Sequence, residues 1–115
     1  MKKIIIISSL IILFLVGCND VEKEKAKLLQ KTLDEGNYVV LDVRTKEEYD
    51  EGHVKEAINI PYDEIDENVN LDKDKTILVY CRSGKRSNIA YKTLKNMGYK
   101  VIDLGAYDKV TLEKE

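Results

Sequence analysis

The chain has 115 residues, 35% of them charged and 43% hydrophobic, and a formal net charge of −2. That is room for one small domain, without the basic surplus that binding to nucleic acid requires. With no tryptophan, one phenylalanine and seven tyrosines, the chain also lacks an aromatic base-stacking platform. Its two cysteines, Cys18 and Cys81, stand in unlike contexts and do not read as a disulfide scaffold. No Cys/His cluster has zinc spacing, and no C-x-x-C pair offers Cys81 a resolving thiol. No resident metal or organic cofactor is expected.

Met1-Lys2-Lys3 is a short positive start, followed from Ile4 to Val16 by an apolar run broken only at Ser8 and Ser9. A membrane-spanning helix needs about 20 apolar residues, so this run fits a signal-peptide core better. It ends in Leu15-Val16-Gly17-Cys18, which resembles the bacterial lipobox, where cleavage precedes a cysteine that becomes lipid-modified. The expectation is a signal peptide over residues 1–17 and a polar tether over 18–25 carrying lipidated Cys18. The domain, residues 26–115, would then stand outside the cell membrane, anchored to it.

Ala26, Leu29 and Leu33 share one helical face, and Gly36-Asn37 closes that helix. Tyr38 to Val43 is a nearly all-apolar strand pattern, as expected of a strand covered on both faces. Thr45 caps a short helix through Asp50, with Glu48 three residues after the cap. Ala57 to Ile60 reads as a second strand ended by Pro61, and Tyr62, Ile65 and Val69 have helical spacing. Thr76 to Tyr80 predicts a third strand, Ser87 to Met97 a helix stopped by Gly98, and Val101 to Leu104 a last strand. Strands alternating with helices at these intervals predict an α/β fold with a parallel sheet. Ligands of such sheets bind beyond the carboxyl ends of the strands, which is where Cys81 falls.

Cys81-Arg82-Ser83-Gly84-Lys85-Arg86 joins the third strand to its helix. A sulfur there meets free backbone N–H groups, the positive end of a helix dipole and three cationic side chains. All favour the nucleophilic thiolate. Ser83 and Gly84 are small enough to let N–H groups face the sulfur, and Gly84 accommodates positive φ. Arg82, Lys85 and Arg86 can draw in a small anion.

Four segments in order carry a family resemblance: Asp42-Val43-Arg44 with Glu47, Glu48 and Tyr49; Gly52-His53-Val54 through Ala57-Ile58-Asn59-Ile60-Pro61; Cys81 to Ser87; and Asp103-Leu104-Gly105. From about Ala26 to Leu112 the chain resembles a single-domain rhodanese, a sulfurtransferase module. The resemblance implies a three-layer α/β/α fold around a central, mostly parallel sheet, and a structural place for His53. It implies that Cys81 takes a sulfane sulfur from thiosulfate or a similar anionic donor and passes it to a thiol or other nucleophile. A carrier or sensor module that holds persulfide for a partner protein is the alternative. The chain departs from the pattern at Glu56, where glycine is usual, at Ala106, and in a C-terminal helix that looks short or absent. A cysteine phosphatase or arsenate reductase would need arginine six positions after the nucleophile, where this chain has Ser87. Arg44 is expected to pair with Glu48, with Asp42 as a local acceptor, rather than to act on substrate.

Overall fold

The computed structural model describes residues 22–115, so the leader and Cys18 lie outside the described residues. The chain divides after Glu35 into two compact units. In the first, residues 22–35 form a helix, α1. It takes in residues 22–25, which the polar composition suggested as tether. Within it the Thr32 hydroxyl donates to the Leu28 carbonyl (2.8 Å), and Gln30 donates to Asp34 (2.9 Å).

The second unit holds β1 (Tyr38–Asp42), α2 (Lys46–Glu51), β2 (Ile58–Asn59), β3 (Thr76–Cys81), α3 (Lys85–Asn96) and β4 (Lys100–Ala106). Among the described residues these strands make one all-parallel sheet in the order β2-β1-β3-β4, so the expected α/β architecture stands. β3 is central because Ile77-Leu78-Val79-Tyr80-Cys81 has no polar face to offer water, and all five residues are fully buried. The side chains of α3 at Ala90 and Leu94 pack on Leu41, Val43, Ile77, Val79 and Cys81. A fully buried leucine such as Leu94 contributes about 1.5–3 kcal/mol by removal from water.

Two details of the sheet aim the nucleophile. Asp42 pairs with Tyr80, which leaves Cys81 at the carboxyl edge. Against β4 the register shifts, with Val79 opposite Asp103 but Tyr80 opposite Gly105, so Leu104 is an extra residue. Gly105 takes φ +80° at this bulge and brings Ala106 opposite Cys81.

The segment from Tyr62 to Val69 is not the helix its spacing suggested. A 3-10 turn spans Tyr62–Glu64 only, and Ile65 is extended. The Asp66 carboxylate accepts the Asn68 N–H (2.9 Å), a local bond that competes with helix continuation. Ile65 still reaches the core, with Tyr62 and Val69 against its margin. Glu56 takes φ +66°, the only non-glycine residue with positive φ among those described, which explains why glycine suits that position. After β4 a 3-10 turn, Tyr107–Lys109, replaces a C-terminal helix. The tail then bridges back, Lys114 antiparallel to Val54.

Candidate active site

Cys81 ends β3 and is fully buried, yet its sulfur accepts a hydrogen bond. The Gly84 N–H donates to Sγ at 2.9 Å. Burial alone would push the thiol up. The Ser87 hydroxyl and the N–H groups of Ser87, Gly84 and Ser83 outweigh it, so the thiol sits below its ordinary value. The Ser87 proton has two claimants, the sulfur and the Gly84 carbonyl at 3.1 Å. A charged sulfur wins that competition, because hydrogen bonds to an ion are the stronger kind.

The loop folds this way because Gly84 is the N-cap of α3 at φ +97°, a conformation that turns successive N–H groups inward. A Cβ at Gly84 would lie 3.7 Å from the Gly105 Cα, so the loop also rests against the bulged end of β4. Arg82, Ser83 and Lys85 are exposed. Neither Arg82 nor Lys85 has an ion-pair partner among the described residues, whereas Arg86 forks onto Glu48, Nη1 to Oε1 at 2.7 Å and Nη2 to Oε2 at 3.0 Å. Arg82 also lines an open cleft of about 310 Å³ with Arg44, Glu51, Tyr107 and Asp108.

The expected Arg44–Glu48 pair is not formed. Arg44 turns inward instead, Nε and Nη2 donating to the Asp42 carboxylate at 2.7–3.1 Å and Nη2 also to the Gly52 carbonyl at 2.6 Å. Its guanidinium lies 4.4 Å from the Tyr107 ring centroid. The Tyr80 hydroxyl donates to Asp42 Oδ2 (2.7 Å) and accepts the Val54 N–H (3.0 Å). Arg44 is shorter in reach than its spacing to Glu48 implied, because the buried Asp42 takes it first. His53 stacks on Tyr49 with ring centroids 3.7 Å apart. Its Nδ1 meets the Tyr49 carbonyl (2.8 Å) and its Nε2 the Glu115 carboxylate (3.1 Å), a structural role. No cluster of three or more His, Cys, Asp or Glu among the described residues is placed to hold a metal.

Tyr80 and the Glu48–Arg86 fork were not identified as site partners from sequence. Glu48 could be read as a helix-capping residue, but its long-range partner had no local signal.

The arrangement supplies a thiol biased toward thiolate at the N–H-lined start of α3, with Arg82 and Lys85 outside it unpaired among the described residues. Residues 25–111 match the family model described as "Rhodanese-like domain". The chain is 44% identical over 62 residues to thiosulfate sulfurtransferase PspE of Escherichia coli, covering 51% of this chain and 60% of that protein. It is 32% identical over 82 residues to a sulfurtransferase of Allochromatium vinosum, covering 70% and 75%. Against three curated relatives, PspE among them, the chain spans 18%, 40% and 60% of the relative's own length. A solved structure, "rhodanese with anions from E. coli", superposes with a TM-score of 0.63 at 36% identity, covering 68% of this chain and 96% of that one. Sequence, sheet order and loop therefore converge, and the chain belongs to the rhodanese-like domain family.

Proposed function

We propose that the protein is a sulfurtransferase working by double displacement through Cys81. The observation that carries this reading is the N–H cradle around Sγ, led by the 2.9 Å bond from Gly84. The Cys81 thiolate attacks the outer sulfur of thiosulfate or a like donor. The donor's S–S bond breaks, and sulfite departs with the bonding pair. The persulfide's terminal sulfur, carrying negative charge, is held by the same N–H groups. An acceptor thiolate then attacks that terminal sulfur, forms a new S–S bond and returns Cys81 as thiolate. Arg82 and Lys85, exposed beside the sulfur, attract the anionic donor and stabilise departing sulfite. Ser87 at the position where a phosphatase needs arginine, and Arg86 tied to Glu48, disfavour phosphoryl chemistry.

The purified chain should form thiocyanate from thiosulfate and cyanide, and Cys81→Ser should abolish it, losing at least about 10³-fold in rate as expected when a covalent nucleophile is removed. A wild type that takes up one sulfur and never turns over would instead support the persulfide-carrier reading. The apolar leader ending in Gly17-Cys18 further supports a lipid anchor on the extracytoplasmic side of the membrane. Labelled palmitate should mark the wild type and not Cys18→Ala in bacterial cells. Equal labelling of both, or of neither, would refute the anchor.

A further inference from the structure

The start of α3 carries the sulfur cradle, yet no N-cap side chain fixes it. Its N-cap is Gly84, which has no side chain to bond the first turn, and that turn contains no acidic residue. Ordinary caps contribute about 0.5–2 kcal/mol and define where a helix begins. Here the Gly84 N–H is turned to Cys81 instead, at 2.9 Å from the sulfur. A loop so arranged needs a restraint from outside.

Glu48 supplies one. Its Oε1 accepts the Thr45 N–H and the Thr45 hydroxyl, both at 3.1 Å, completing the capping box of α2. The same oxygen takes Arg86 Nη1 at 2.7 Å, while Oε2 takes Nη2 at 3.0 Å. One carboxylate thus joins the β1–α2 corner to the first turn of α3, across 38 positions of sequence. Both side chains are about three-quarters buried. The fork fixes distance and plane together, which a single-point contact would not.

We propose that Glu48 is a positioning residue for Cys81, its fork to Arg86 holding the first turn of α3 so that the N–H groups stay aimed at the sulfur. This rests on the sulfurtransferase reading for its consequence in turnover, but its first readout does not. Glu48 touches no substrate; it acts through Arg86 and the helix start. It also occupies Arg86, leaving Arg82 and Lys85 to meet the donor.

The test compares Glu48→Gln, Arg86→Lys, Arg86→Gln and the Glu48→Gln/Arg86→Gln pair in the full chain. Alkylation of Cys81 by iodoacetamide is followed against pH, read on the Cys81 peptide by mass spectrometry, with a thermal melt confirming the fold. In Glu48→Gln the loosened cradle should outweigh the downward pull of an unpaired Arg86 and move the titration midpoint of Cys81 up by about one unit, a tenfold loss of thiolate at a pH below both midpoints. kcat should fall while KM for thiosulfate stays within about twofold, because Arg82 and Lys85 are untouched. Arg86→Lys, which keeps the charge and loses the fork, should shift the same way and serves if Glu48→Gln fails to fold. The double variant should be no worse than either single change. A midpoint that stays put or falls in folded Glu48→Gln overturns the proposal, as does additive loss in the double. If wild type shows no sulfur transfer while the midpoint still moves, the function fails and the positioning role stands.

Discussion

Two carboxylate–guanidinium forks flank the nucleophile's strand, and they differ in everything except chemistry. Asp42 and Arg44 are two residues apart, with side chains 0% and 6% exposed. No buried side-chain polar atom among the described residues lacks a partner, and here Tyr80, the Arg44 N–H and the Gly52 carbonyl complete the set. Glu48 and Arg86 are far apart in sequence, sit at 22% and 26% exposure, and join a short helix to the first turn of α3 beside the Gly84 loop. A buried pair gives up hydration and returns little net stability, but removing one partner strands a charge. A partly exposed pair is cheaper to lose and is valuable for what it holds together. The first fork is scaffold for the end of β1 and β3; the second is a clasp on the reactive loop.

The largest effect should therefore come from the inner fork. Asp42→Asn keeps the shape and leaves Arg44 and its charge without a counterion in the interior. The loss should be about 3–5 kcal/mol in urea denaturation, enough to consume much of a small domain's stability. Glu48→Gln should cost far less by the same measurement. Equal losses would mean that the two forks are not different in kind.

The difference in sequence separation also explains what could be read in advance. Asp42, Arg44 and the capping box of Thr45 and Glu48 are local, and their presence in a strand-end and helix-start pattern was legible. Their pairing was not, because two guanidinium groups compete for two carboxylates and only the fold decides which meet. Arg44 goes to Asp42 and Glu48 to Arg86 only in the folded chain, a choice no spacing rule contains. The parallel sheet, the position of Cys81 and the turn at Gly84 were legible because strand periodicity and glycine placement are local signals. The bulge that sets Ala106 opposite Cys81 and the Tyr80–Asp42 bond were not, since both depend on register between strands. The missing helix after Tyr62 is the opposite lesson. Helical spacing there was real, but the Asp66 carboxylate accepted the Asn68 N–H and won.

Acid sharpens the same comparison with a smaller effect. Arg86 is the largest influence on Glu48 and, with the Thr45 donors, outweighs partial burial to hold its carboxyl at about 2, against 4.5 for the free group. A carboxyl lowered on folding stabilises the native state above the unfolded value, and that contribution disappears as pH falls from about 4.5 to about 2. With a fifth of the side chain in solvent, the contribution after screening is about 1–2 kcal/mol. Urea midpoints for the wild type should decline across that window, and Glu48→Gln, with no carboxyl to protonate, should decline less by that amount. Identical acid slopes in the two proteins would mean that Arg86 does not hold Glu48 in solution, and the cradle at Gly84 would then have to be fixed by the sulfur alone.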